Sequence, residues 1–231
     1  MNKKISYIKK ENRKKILLLC DDIRMHSGIA TMAREIVIGT AHHYNWVNLG
    51  AAINHPEKGK TLDLSADINK QKGIDDASVL VIPNNGYGDA QMVRALLFNH
   101  KPDAVFIFTD PRYWIWLFEM EREIRSKIPI VWLNILDDYP APVYNKNYYN
   151  SVDTLMGISK QTVNINKIVL GDDAEDKIID YVPHGIDPKT FFPILPDHEK
   201  YNDFLNFKKD LFNNRDINFT VFFNSRTIHR K

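Results

Sequence analysis

Five short stretches gather most of the residues able to do chemistry: "DDIRMHSG" (21–28), "PNNGYGD" (83–89), "TDPRYW" (109–114), "LDDYPAP" (136–142) and "GISK" (157–160). In the first, Ser27 and Gly28 stand where a helix begins, and free backbone N–H groups with the helix dipole there favour a phosphate or a sugar hydroxyl. The same pair also suits a simple tight turn, and the G-x-G-x-x-G spacing of a dinucleotide site is absent. Asp110, followed by Pro111 and Arg112, ends an apolar run. It can act as a base, hold a sugar hydroxyl, or close an Asx turn before a proline-started helix. The adjacent carboxylates Asp21-Asp22 and Asp137-Asp138 have the charge to hold a hard cation, but such pairs after strands mostly serve as turn formers and caps, and no metal is expected. Tyr113, Trp114, Trp116, Tyr139, Tyr144, Tyr148 and Tyr149 offer stacking faces to a sugar or a base. Helical spacing instead assigns Trp114, Leu117 and Phe118 to a core. The chain holds no G-x-x-x-x-G-K-[ST], H-E-x-x-H, G-x-S-x-G or cysteine cluster, so P-loop, zincin, α/β-hydrolase and zinc-site chemistry lack support.

Each stretch follows or closes a strand-like run. Apolar runs near 15–20, 45–49, 78–82, 104–108, 130–135, 153–157 and 177–182 alternate with helix-period segments, the sign of parallel βαβ units. In "SGIATMAREIVIGT", Ile29, Met32, Ala33, Ile36 and Val37 follow the spacing of an amphipathic helix with Ser27 as its N-cap. Further helices are predicted over 88–100, opened by Gly88 or Asp89, over 113–127, and over 159–169, capped by Ser159. Runs such as "AVFIF" and "IVWLNI" are continuously apolar, which fits a sheet covered on both faces. The predicted fold is a doubly wound, Rossmann-like α/β domain. In such a sheet ligands lie beyond the carboxyl ends of the strands, where the five stretches fall.

"YVPHGIDPKTFFP" (181–193) interrupts this rhythm. A strand stops at Pro183, passes through His184-Gly185 and enters a second proline-bounded turn. A polar segment ending in a helix follows, then the apolar run "INFTVFFNSR". The expected organisation is a basic arm over 1–14, a Rossmann-like domain over 15–183, a hinge and linker over 184–212 with His184 and Gly185 at the hinge, and the opening strand of a second α/β domain over 213–231.

Composition narrows the class. Hydrophobic residues make up 44% of the 231 and charged residues 26%, as in soluble globular chains, and no apolar run reaches the roughly 18–20 residues of a membrane span. The first fifteen residues carry seven basic groups; they are expected to form a solvated arm, with weak contact to an anionic surface as the alternative. A net charge of +2 provides no whole-protein footprint for nucleic acid. The single cysteine, Cys20, sits in an apolar run and suits a core position in a reducing cytoplasm.

These residues together carry a resemblance. "SGIATMAREIV" looks like the first loop and helix of glycosyltransferase family 4 and its GT-B relatives. "YVPHGIDPKTFFP" is similar to their interdomain V-P-N-G-V-D-x-x-x-F-x-P segment, with His184 where the family has Asn. "FNSRTIHRK" resembles their G-R-x-x-x-x-K-G, with Ser225 where Gly is common. The resemblance places Gly28 in the glycine-rich loop near sugar and acceptor, and makes Arg226 and Lys231 the basic pair that holds the donor's diphosphate. "FTDP" resembles an H-E-P segment, so Thr109 replaces a histidine and Asp110 falls on an acidic position. Ser159 resembles the serine of a V-S-x-x-x element closing the acceptor domain. The implied activity is retaining, metal-independent transfer from a nucleotide-diphosphate sugar to an acceptor that is a glycan, a lipid or a modified nucleobase. No separate cofactor is implied. The expected assignment is Asp110 as catalytic, with Ser27, Gly28, Thr109, Arg112, Asp138 and Ser159 binding sugar or acceptor. A non-enzymatic α/β module binding a sugar or nucleotide is the alternative. A nicotinamide-dependent oxidoreductase would need a G-x-G-x-x-G and an acidic end to the second strand, and has neither.

Overall fold

Strands that are apolar along their whole length must be covered above and below, and the chain achieves this by running each connection back across one face of a single sheet. The computed structural model describes residues 7–136, 139–188 and 190–222. In chain order the elements are β1 (Lys14–Asp21), α1 (Gly28–Thr40), β2 (Tyr44–Ala51), β3 (Leu62–Asp63), α2 (Ser65–Lys72), β4 (Val79–Pro83), α3 (Ala90–His100), β5 (Ala104–Ile107), α4 (Ile115–Glu119), α5 (Glu121–Arg125), β6 (Ile130–Asn134), α6 (Lys146–Asn150), β7 (Thr154–Gly157), α7 (Lys160–Leu170), β8 (Ile178–Tyr181) and α8 (Tyr201–Leu211). The sheet order is β3-β4-β2-β1-β5-β6-β7-β8, parallel except for the β3–β4 pair. The doubly wound parallel sheet expected from the sequence is therefore present.

α1 and α2 pack on one face, burying Ala33, Val37 and Ile68 against Leu18, Trp46 and Val79. α3, α4, α5 and α7 pack on the other, where Val93, Leu117, Ile124 and Ile165 meet Leu17, Val105 and Trp132. The chain moves outward from β1 in both directions, so the topological switch lies between β1 and β5. Over β5 to β7 the first face carries an apolar depression of about 530 Å³, lined by Ile16, Phe106, Val131, Leu133, Met156 and Val182 among others.

The helix predicted over 113–127 is broken. Asp110 caps a 3-10 turn (Pro111–Tyr113), and Trp114 and Met120, at φ −120° and −101°, separate that turn, α4 and α5. The break carries Trp114 to complete burial. Burying an indole stabilises by about 4–6 kcal/mol at ~25 cal/mol per Å², against about 1–3 kcal/mol for its unpartnered buried N–H, so packing wins. β3 and α2 were not foreseen: "LDLSADINK" is too short and polar to show either period. α3 opens on Asp89, whose side chain accepts from the Met92 N–H, and not on Gly88.

Most described residues of the basic arm, Lys9 to Asn12 and Lys14 among them, are exposed, but the arm is tied to the domain at two points. Ile8 N–H donates to the His42 carbonyl, and Arg13, 5% exposed, donates to the carbonyls of Ile8 and Asp76 and pairs with the Asp76 carboxylate. Lys14 pairs with Asp103, and Lys15 donates to the His100 carbonyl.

The chain divides into two units, Met1–His184 and Gly185–Lys231. In the second, Asp187 organises a turn, accepting from the Thr190 hydroxyl and, through its carbonyl, from the Phe191 N–H. α8 buries none of its residues, and Phe207 and Leu211 are exposed. Of the predicted strand over 213–224, the described residues up to 222 form no ladder, and Phe219, Val221 and Phe222 are exposed. A strand requires a partner for its backbone groups, and none lies beside this run among the described residues. Among those residues no helix is long and apolar enough to cross a membrane.

Close packing at the end of β7 generates a test. A Cβ on Gly157 would fall 2.8 Å from the Val163 backbone nitrogen, whereas one on Gly39 meets nothing within 4 Å. Gly157→Ala is expected to destabilise by about 1–3 kcal/mol and Gly39→Ala to be neutral or mildly stabilising, as read from urea midpoints at constant m.

Candidate functional site

The carboxyl ends of β1, β4 and β5 bring three of the five chemically rich stretches together. At the end of β1, Asp21, 7% exposed, accepts hydrogen bonds from the Ser27 hydroxyl (2.7 Å) and the Tyr87 hydroxyl (3.3 Å). Ser27 also caps α1 by accepting from the Ala30 N–H at 3.0 Å. One hydroxyl thus joins the strand end to the helix start.

Asp22, next in sequence, is fully buried and accepts from the Arg24 backbone N–H, Nε and Nη2 at 2.9, 2.9 and 2.6 Å. Asp110 repeats this arrangement at the end of β5. It accepts from the Arg112 backbone N–H and Nε at 2.9 and 3.0 Å through Oδ1, and from Nη2 at 2.6 Å through Oδ2. Each Asp-x-Arg is a self-closed clamp in which the carboxylate holds the turn and neutralises the arginine that follows. Hydrogen bonds from Arg112 hold the Asp110 carboxyl below the usual carboxylate range, and Asp110 raises Arg112 in return. The first clamp relies on Gly50 in β2, because a Cβ there would sit 2.7 Å from Asp22 Oδ2.

Between the clamps lies Tyr87. Gly86 and Gly88 flank it at φ +90° and +82°, a left-handed conformation that costs other residues strain. This turn lays the Tyr87 ring on Tyr113, with centroids 4.1 Å apart and planes at 12°, and edge-on to Trp114 at 5.5 Å. Burial, then the Asp21 charge, pushes the Tyr87 hydroxyl above its ordinary range, so it stays a donor to Asp21.

The other expected site residues fall differently. Thr109 is 4% exposed, directly before Asp110. Gly28 is exposed at the first position of α1; its φ is ordinary and a Cβ would meet nothing. Ser159 is spent on the α7 cap, accepting from the Thr162 N–H at 2.9 Å and sharing a hydrogen bond with the Thr162 hydroxyl. At the end of β6 the buried Asn134 amide donates to the Tyr149 hydroxyl and to Asn166, while its oxygen accepts from the Leu136 N–H. His184, expected only as hinge, sets its ring edge-on to Phe108, 5.7 Å between centroids, and burial lowers its basicity. Asp138, Arg226 and Lys231 lie outside the described residues. Tyr87 and the Asp22–Arg24 clamp were not singled out from sequence. The paired glycines around Tyr87 and the repeated Asp-x-Arg were the available signals.

No protein-family model matches the sequence, nor does any curated protein. Solved structures do. The chain is similar to Anabaena HepE in complex with UDP-glucose, at 14% identity, covering 88% of this chain and 51% of that one with a TM-score of 0.53. For HepE in complex with UDP and glucose the values are 14%, 84%, 50% and 0.50. A glycosyltransferase from Rickettsia africae shows 11% identity, 89% and 51% coverage, and a TM-score of 0.49. The chain spans about half the length of these proteins. The likeness to HepE is one of fold, a Rossmann-like α/β sheet.

The second clamp is open to measurement. Asp110 has a folded-state pKa below its unfolded value of roughly 3.9, so its contribution is present above that pH and lost as pH falls through the folded value. Asp110→Asn keeps the turn's acceptor and removes the charge. Because Arg112 is 78% exposed, solvent screening limits the expected loss to about 0.5–1 kcal/mol at pH 7. That difference should shrink as pH falls below about 3.9 in paired urea melts.

Proposed function

We propose that the chain is the acceptor-binding half of a family 4-like GT-B glycosyltransferase, which moves a sugar from a nucleotide-diphosphate donor to an acceptor hydroxyl in the cytoplasm. What carries the reading is the gathering of Ser27, Asp21, Tyr87, Tyr113, Arg112 and Asp110 at the switch point of a fold shared with HepE, a protein crystallised with UDP-glucose. The hinge segment "YVPHGIDPKTFFP" adds the sequence resemblance.

In this reading the donor's C1–O bond to phosphate breaks while the acceptor oxygen bonds to C1 on the same face. The acceptor's proton passes to the departing phosphate oxygen. Retention then requires neither a protein nucleophile nor a metal. Arg226 and Lys231 would meet the charge that develops on the diphosphate. Asp110, ionised and clamped, would accept a hydrogen bond from an acceptor hydroxyl and fix its direction without removing its proton. Gly28, unconstrained by φ or packing, would let backbone approach the sugar. Clamping of Asp110 equally suits a non-enzymatic sugar-binding module, which is the second reading.

Transfer assays by mass spectrometry, with a panel of nucleotide sugars and glycosides, decide between them. Transfer from at least one donor to a glycoside is expected of the protein. Gly28→Val should leave the melting temperature unchanged and lower transfer at least ten-fold. Absence of transfer from every donor would favour the binding module.

A further inference from the structure

Resting on that reading, we propose that the acceptor is an uncharged pyranoside, seated with its C–H face on the Tyr113 ring and its hydroxyls towards the Asp110–Arg112 clamp. Tyr113 is 48% exposed, and one of its faces is taken by Tyr87, so the exposed area lies on the other face and the ring edge. The ring is held in place before any ligand arrives. Tyr87 beneath it is fixed by the hydrogen bond to Asp21, by the edge contact to Trp114 and by two left-handed glycines. Flat aromatic rings present apolar area at low entropic cost, which suits the C–H face of a sugar.

Charge selects among the acceptors that could stack there. Both arginines in the β1 and β5 loops are closed onto their own carboxylates. A phosphate, whether from a lipid headgroup or a nucleic-acid backbone, would meet an Arg112 whose charge is already balanced by Asp110, with the Asp110 carboxylate beside it. A neutral polyol meets no such conflict. Its hydroxyls can donate to the remaining lone pairs of Asp110 and accept from the guanidinium edge left exposed. The clamp thus offers an anion no net positive charge while still presenting paired donor and acceptor groups.

Saturation-transfer NMR on the 231-residue chain tests this with methyl glucoside, methyl galactoside, methyl N-acetylglucosaminide, glycerol 3-phosphate and the dinucleotide dTpT as probes. At least one methyl glycoside should bind with strongest transfer to the protons of one ring face. Tyr113→Ala should weaken it at least ten-fold, Tyr113→Trp should keep it within about three-fold, and circular dichroism should show both variants folded. Binding of dTpT or glycerol phosphate in preference to every glycoside, glycoside binding indifferent to Tyr113→Ala, or no glycoside binding would each overturn the proposal. The transferase reading falls separately. Tyr113-dependent glycoside binding without transfer leaves the platform standing, and transfer that ignores Tyr113 removes only the platform.

Discussion

Parallel strands cannot be joined by tight turns, so every connection must return across a face of the sheet, and the right-handedness of that return decides which face. In this chain the rule sends α1 and α2 over one face and α3 to α7 over the other. β1 and β5 are neighbours whose following segments part in opposite directions, and the gap above their carboxyl ends is a result of topology before any side chain is considered. Asp21, Ser27, Tyr87, Asp110 and Arg112 sit at or beside that gap.

Side chains then determine what kind of gap it is. Carboxylates at strand ends are natural turn formers, and Asp22 and Asp110 each spend themselves on the backbone and guanidinium two residues ahead. The outcome is a rim that is polar yet locally neutral, with Asp21 below it satisfied by two hydroxyls. The glycines around Tyr87 turn the third loop inward, which converts an edge of separate loops into a bonded chain from β1 through β4 to β5.

Much of this was legible in the residues and some was not. Period and length located the seven parallel strands and α1, α3 and α7, because buried parallel strands and amphipathic helices leave strong patterns. The caps Ser27 and Ser159 were legible for the same local reason. The broken helix after β5 was not, since Trp114, Leu117 and Phe118 keep helical spacing while burial of Trp114 demands a different path. The burial of Arg13 was missed because its partner, Asp76, lies far along the chain, beyond the reach of a local pattern. Tyr87 was one tyrosine among ten until the sheet order set its loop beside Asp21 and Tyr113. His184 read as punctuation between units, and only the fold showed its ring against Phe108.

The position of β1 has a consequence for how the protein is made. Its "KILLLC" run occupies the middle of the finished sheet, between β2 and β5. Lys15 bonds to Asp103, 88 residues further along. A ribosome adds roughly 5–20 residues per second, so the first strand to emerge waits on the order of 4–18 s for its second neighbour. During that interval one of its edges is unpaired and strongly apolar, and it must be shielded by the early β1–α1–β2 unit or by a chaperone.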